Sequence, residues 1–495
     1  MPSPRQLRDA YQAPVARETG RPFPKARQRL ALAYPSPYRA GMSSLGYQWI
    51  GSVLSEAGFG VERIFLPDDV EAWRTARISP YSLESGTSLA DFPLIAISVA
   101  YELEIAGLVE LLRLARIPPL RKDRTSHHPK ILVGGPLTFS NPLPCAPFAD
   151  AMIWGEGEAV IGEAVAAFFA DGDFDALATM PGGWLPGMGR VPVAKANDDL
   201  LPARSRIMSP DAELHDMFLI EGERGCHRTC TFCVMRRSTN GGMRLVTPAA
   251  IMGFVPAEAK RVGLVGAAIS DHPELVGVIG AIVDSGRGVG ISSLRADRVA
   301  LKPDIPRLLR AGGYATLTVA SDAASQRLRR TIAKGTTEAH LLACAEAAKE
   351  HHYRLLKVYM MVGLPGEEDD DIEELLAFTR KLAAIHPVTL GIAPFVPKFA
   401  TPLVDAPFAG IGVVESRLAA IRGGLKGSRA DLRPTSARWA WVEYRLAQGG
   451  EEAGLAVLTA VLAGGTFGDY KRALTELPER HRAATLERRA EIAAG

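Results

Sequence analysis

Cysteine is scarce in this chain, with five in 495 residues, an odd number without the even spacing of a disulfide framework. That excludes a stapled secreted scaffold and makes the reducing cytosol the expected compartment. Long apolar runs are missing too: no stretch of about twenty apolar residues occurs, so no membrane-spanning helix is expected. Nor does either charge prevail. With 57 Lys and Arg against 55 Asp and Glu, the net charge is +2, which provides no large basic surface for nucleic acid. What remains is the composition of an ordinary globular enzyme, 47% hydrophobic and 23% charged. Its length suggests roughly three domains, each able to bury its own core. The first 28 residues are rich in Pro and Arg, like a transit peptide. They lack an apolar core and include Asp9 and Glu18, so a floppy arm or clamp is expected instead.

Against that scarcity, "IEGERGCHRTCTFCVMR" stands out, because Cys226, Cys230 and Cys233 fall within eight positions. Buried structural thiols fit badly in so polar a loop. Zinc fits badly as well. It usually takes four protein ligands in two separated pairs, whereas Cys145 and Cys344 are single and distant and no histidine pair has finger spacing. A [4Fe–4S] cluster ordinarily takes four thiolates. Three thiolates leave one iron open, as a catalytic metal site requires.

The C-x3-C-x2-C spacing, with Phe232 just before the last cysteine, closely resembles the signature of the radical S-adenosylmethionine (SAM) family. The resemblance implies a cluster whose open iron chelates the amino and carboxylate groups of SAM. One electron then cleaves SAM to a 5′-deoxyadenosyl radical. "MFLIEGERGC" reads as a strand running into a polar loop, which puts the cysteines at the carboxyl end of a first barrel strand, where α/β barrels keep their chemistry. Five further apolar runs follow, each ending in Gly, Ser, Asp or Pro. The total of six matches a partial (β/α)6 radical SAM barrel, and no further two strands are found to close it. By resemblance, the SAM contacts are Phe232, Gly266 and Ala267, Ser293 and Arg295, Asp322, and Gly363 and Pro365 of "GLPGE". Gly266 and Ala267 stand where the family often has Gly-Gly-Glu, and here the glutamate is missing. An arginine grips a carboxylate with two hydrogen bonds, which suits Arg295 to the SAM carboxylate. "FVPKFATP" resembles the family's closing strand and contains Lys398. No side chain is singled out as catalytic.

Residues 29–180 alternate strands and helices as in a doubly wound parallel sheet. Such sheets hold ligands in small-residue loops at their carboxyl ends. The G-x-G-x-x-G dinucleotide fingerprint is absent after the first strand, which argues against NAD or FAD. "SLGYQWIGSVLSEAGFGV", "GGP" and "WGEGEAV", in this order ahead of the cysteines, resemble the Rossmann-like cobalamin-binding domain of a large branch of radical SAM enzymes. That resemblance implies corrinoid contacts at Ser43, Ser44, Leu45, Gly46, Tyr101, Glu102, Gly134, Gly135, Pro136, Thr138, Gly155, Glu156 and Gly157. The Asp-x-His-x-x-Gly element is missing, so no histidine is expected on cobalt.

Residues 181–212 read as a Gly/Pro-dense linker, 213–405 as the barrel and 406–495 as a helical domain. Trp439, Trp441 and Tyr444 are expected in its core. Neither a second cysteine cluster nor a small β-barrel RNA module is found, which weakens a methylthiotransferase reading. The combined expectation is a cytoplasmic α/β enzyme that uses a [4Fe–4S] cluster, SAM and cobalamin to methylate an unactivated carbon, or phosphorus. By resemblance, SAM would both remethylate cobalt and supply the radical. The linker would bring the two sets of loops to one pocket. The substrate would be an unidentified small molecule, lipid or peptide, and flavodoxin or ferredoxin would donate electrons. The alternatives are a radical rearrangement or cyclisation that moves no methyl, and a corrinoid- or redox-sensing protein without turnover.

Overall fold

"RLALAY" is uniformly apolar after its first residue, the pattern of a strand covered on both faces. It forms β1 (Arg29–Tyr34), with five of its six residues buried. The structure is a computed structural model that describes residues 2–235 and 242–477. Two compact units divide the chain. The first contains residues up to Phe218 together with those from Arg445 onward, and the second contains Leu219 to Tyr444.

In the first unit, β1 is joined by β2 (Gly60–Phe65), β3 (Leu94–Ser98), β4 (Lys130–Gly134), β5 (Ala151–Ile153) and β6 (Gly183–Trp184). Their order is β2-β1-β3-β4-β5-β6, parallel except for the last pair. The first five follow the flavodoxin-like order, whose direction of winding reverses between β1 and β3. Helix Leu45–Glu56 follows β1 and is capped by Ser44, whose hydroxyl accepts from Tyr47 N. Helix Glu104–Leu114 follows β3, and its Gly107 lies so close to the Pro35 carbonyl that any Cβ would collide with it.

Two expectations of chain organisation change here. The stretch read as a linker is part of this unit, and it supplies β6 and a two-residue ladder between Thr19–Gly20 and Ile207–Met208. Its glycines and prolines turn the chain tightly over the sheet instead of freeing it. The N-terminal arm is likewise fixed as a clamp. The Tyr11 hydroxyl accepts from Phe65 N at 2.9 Å, and buried Arg63 grips Glu18 through Nη1 and Nη2 at 2.6 and 2.9 Å.

The last described helices, Glu451–Ala463 and Phe467–Thr475, return to the first unit. Gly454 packs against the Pro144 carbonyl, and the Asn141 amide donates to Ala447 O and Gly449 O at 3.0 and 2.7 Å.

The second unit begins with β7 (Met217–Glu221), whose first two residues lie before the boundary, and the short β8 (Glu223–Cys226). β8 pairs antiparallel with β9 (Gly242–Leu245), bringing Cys226 opposite Gly242. β10 (Arg261–Val265) and β11 (Gly288–Ile291) extend β7 into a three-stranded sheet. β12 (Leu294–Arg295), β13 (Thr316–Asp322), β14 (Leu355–Val362), β15 (Val388–Pro394) and β16 (Ala430–Pro434) form a five-stranded parallel sheet in that order. β16 corrects the expectation that everything after 405 is helical. Its "ADLRP" has no apolar run because it is an edge strand, and charged Asp431 and Arg433 and a terminal proline suit such an edge. Among the described residues these strands do not close into a barrel.

Candidate active site at the barrel strand ends

Cys226 is the last residue of β8, so the cysteine loop opens where that short hairpin strand stops. The loop then touches the segment after β13: Thr231 N donates to Ile332 O at 3.1 Å, and Cys230 Sγ lies 3.7 Å from Ala333 O. All three thiols are free and partly exposed, whereas Cys145 and Cys344 are fully buried. Burial raises the Cys226 and Cys233 thiols, offset in part by the backbone N–H groups of Arg228 and Met235. Negative charge on Cys230 raises both further. The three sulfurs therefore share one electrostatic neighbourhood. Among the described residues no three His, Cys, Asp or Glu side chains gather tightly enough to hold a single metal ion. A four-iron cluster does not need that, because each thiolate takes a different iron.

A buried ion network braces this loop. Asp271, in the turn after β10, has a completely buried side chain. It accepts from Arg228 Nη2 at 2.5 Å and Nε at 2.8 Å, and from Arg298 Nε at 2.5 Å. Burial opposes its ionisation, but the two arginines outweigh that and bring the carboxyl from 3.8 to about 2. Arg295, expected to hold a carboxylate, already holds one of this chain's own. Its Nε and Nη2 donate to the Asp297 carboxylate at 3.0 and 3.2 Å, and Nη2 also reaches Lys334 O. Asp322 closes β13 with a positive φ of 63° and pairs with Lys334.

Glu223, three residues before Cys226, went unnoticed in the sequence. Its Oε1 accepts from Ala268 N at 2.5 Å, while buried Oε2 has no partner among the described residues. Burial, together with the negative charges of Glu221 and Asp271, raises this carboxyl to about 7 against the lowering effect of Ala268 N–H. The carboxylate lies against Gly266, where a Cβ would collide with Oε1. The strand end that lacks the expected glutamate is thus met by a glutamate from β8.

The remaining expected residues divide. Ala267 and Ser293 are exposed at strand ends, and Phe232 and Gly266 are half-buried. Gly363 donates its N–H to the Glu367 carboxylate at 2.8 Å, and Arg417 grips the same carboxylate, so this turn beside Pro365 is braced from within. Lys398 is paired with Glu443 at 2.6 Å.

In the first unit, the small-residue loops do follow the strands' carboxyl ends. Gly135 has a φ of 102° that a side chain would resist, and it is followed by a short turn at Pro136–Phe139. The Thr138 hydroxyl donates to Gly135 O at 2.7 Å and accepts from Gly155 N at 3.0 Å, tying the ends of β4 and β5 together. Gly134, Gly135 and Gly155 thus lie together, while Gly157 begins the next turn. Glu156 is buried and accepts from Ala196 N, and Ser43 accepts from Leu214 N, both internal fastenings. Ser44, Leu45 and Gly46 open the helix after β1. Tyr101 is 48% exposed after β3, whereas Glu102 is buried. No histidine occurs in any of these loops.

The sequence relationships agree with this geometry. Residues 220–379 match the radical SAM superfamily, and residues 46–173 match the N-terminal region of radical SAM proteins. Residues 220–379 therefore correspond to a radical SAM domain, a kind of domain that implies an iron–sulfur cluster and SAM. An uncharacterized protein of Methanocaldococcus jannaschii is 29% identical over 390 residues, 76% of this chain and 78% of that one. A ribosomal protein uS12 methylthiotransferase of Desulfosudis oleivorans is 28% identical over 176 residues, 33% of this chain and 40% of its own. Among solved structures, the cobalamin-dependent SAM radical enzyme OxsB with aqua-cobalamin superposes with a TM-score of 0.52 at 14% identity. That match covers 73% of this chain and 53% of OxsB, so the chain spans about half the length of its structural neighbour. The form with SAM also bound gives 0.50. At such identity the likeness is one of fold.

Proposed function

We propose that this chain is a radical SAM enzyme that also binds a corrinoid and transfers a methyl group to an unactivated carbon, or phosphorus, of its substrate. The observation that carries the reading is the loop of three free thiols, with no fourth cysteine near it, opening at the end of the antiparallel hairpin strand β8 that follows β7. The donor set fits a [4Fe–4S] cluster with one iron left for SAM. The flavodoxin-like order of the front sheet, its small-residue loops and an exposed tyrosine beside the reversal point favour a flat cofactor there. When bound, these cofactors supply a 5′-deoxyadenosyl radical and a transferable methyl group.

The protein's own residues bind and orient. Cys226, Cys230 and Cys233 hold the cluster, and Asp271 fixes their loop through Arg228. The unpartnered Glu223 Oε2 is the best-placed acceptor for the ammonium of SAM, with Gly266 leaving room beside it. Arg295 is committed to Asp297, so it supports the site rather than gripping the SAM carboxylate. Asp322, held by Lys334, offers its carboxylate to the ribose. A methylthiotransferase reading lacks the thiolates for a second cluster, because Cys145 and Cys344 are buried singly in different units.

Anaerobic reconstitution with iron, sulfide, SAM and hydroxocobalamin tests the reading. Reduced protein should form 5′-deoxyadenosine, and label should pass from methyl-labelled SAM to a corrinoid-dependent product. Cleavage without methyl transfer would leave a radical SAM enzyme of another reaction type. Absence of cleavage would remove the enzyme altogether.

A further inference from the structure

In the first unit a cavity of about 170 Å³ is lined by Trp73, Ile78 and Leu114 and by four arginines, Arg74, Arg77, Arg113 and Arg116. Two of the four are neutralised. Arg74 pairs with Glu71 and with Glu110 at 2.8 Å, and Arg113 reaches Glu110 at 3.3 Å and Val461 O at 3.4 Å. The side chains of Arg77 and Arg116 have no hydrogen-bond or ion-pair partner among the described residues. Four guanidiniums against two carboxylates leave two positive charges in excess on one small cavity.

The backbone beneath those two charges is strained. Arg77 and Arg116 have φ of 54° and 59°, two of only seven non-glycine residues with positive φ among those described. Each follows the C-cap of a helix, Val70–Thr75 and Glu104–Leu114 respectively. Glycine is the usual occupant of that position because it adopts the left-handed conformation without penalty. Arginine carries a conformational penalty there, and it is found at both positions, on the same cavity. A cation also offsets the negative end of a helix, so that role is a separate outcome of the test.

We propose that this cavity binds a phosphate monoester, with its dianionic phosphoryl group between Arg77 and Arg116. Guanidinium groups recognise phosphate through paired N–H donors, and a dianion matches the excess charge. A cavity of roughly 150 Å³ accommodates a benzene-sized group, so the phosphoryl group and a few adjoining atoms enter against the apolar wall. Neither the cysteine loop nor the front-sheet loops contribute a residue.

The test is calorimetric titration of the full chain with inorganic phosphate, phenyl phosphate and sulfate. It is repeated on the double variant Arg77→Gly, Arg116→Gly, which keeps the backbone conformation and relieves its strain. Wild type should bind phenyl phosphate, and the double variant should lose at least tenfold in affinity without a fall in melting temperature. Tighter binding of inorganic phosphate than of the ester would identify free phosphate as the source of the same phosphoryl group. Binding of neither, equal binding by the double variant, or equal affinity for sulfate would overturn the proposal. A variant that merely melts lower, by the same amount with and without phosphate, would show that the arginines serve the helix ends alone.

Discussion

Replacing Asp271 with Asn should loosen the cysteine loop. The side chain is wholly buried between Arg228 on that loop and Arg298 on the helix after β12. Its pKa, drawn from 3.8 to about 2, corresponds to roughly 2 kcal/mol at about 1.4 kcal/mol per unit. Breaking a fully buried pair costs about 3–5 kcal/mol. Here the two arginine side chains are 25% and 29% exposed, so water can solvate the abandoned charges and the lower figure applies. If opening of the loop limits cluster loss, ~2 kcal/mol means about 30-fold faster release. The assay follows iron transfer from reconstituted protein to a chelator at pH 7, where Asp271 is fully ionised. Because the folded pKa is the depressed one, this stabilisation is complete above about pH 4. It is lost as the pH falls toward 2, where wild-type and Asn apo-proteins should converge in stability. Release at the wild-type rate from Asp271→Asn would refute the bracing argument.

Three further outcomes are expected. Ala at Cys226, Cys230 or Cys233 should abolish cluster binding and SAM cleavage. Cys145→Ala and Cys344→Ala should each cost about 1 kcal/mol of core packing and retain full iron content, and a lost cluster in either would reveal a fourth thiolate. Burial holds Glu223 near pKa 7, so the folded apo-protein loses stability as pH rises from about 4.5 through 7. Glu223→Gln, which mimics the protonated acid, should therefore unfold like wild type near pH 4.5 and be up to about 3 kcal/mol more stable at pH 8, while binding SAM about tenfold more weakly. Parallel unfolding profiles across that range would contradict the buried-carboxyl assignment. Cobalt(II) corrinoid bound to the front sheet should show no nitrogen hyperfine splitting from a protein imidazole in its electron paramagnetic resonance spectrum.

What the sequence disclosed was local. Three cysteines within one loop carry their meaning in their spacing, and "RLALAY" announces a buried strand by composition alone. Asp271 and Glu223 escaped notice because their roles arise across tertiary contacts. Glu223 sits in "GERG", which reads as a charged surface turn until β10 brings Gly266 and Ala268 against it. The pairing of Arg295 with Asp297 escaped for the same reason, since Asp297 lies only two residues away but the short helix turn that joins them is invisible in composition. β16 escaped because an edge strand needs no apolar run. The linker-like look of the 181–212 stretch, all turns and prolines, hid the fact that a two-residue strand suffices to attach it to a sheet.

The first unit is discontinuous in the chain, because its last helices are encoded after the whole of the second. Synthesis proceeds at roughly 5–20 residues per second. The 226 residues between Phe218 and Arg445 therefore separate the two parts of the first unit by on the order of 11–45 s. Throughout that interval the ground around Pro144 and Asn141, which the helix Glu451–Ala463 and the turn before it later cover, is open to solvent and to other chains. On the ribosome the second unit, although it begins later, has all its residues before the first does. Late arrival of one helix thus sets when the front sheet is finished.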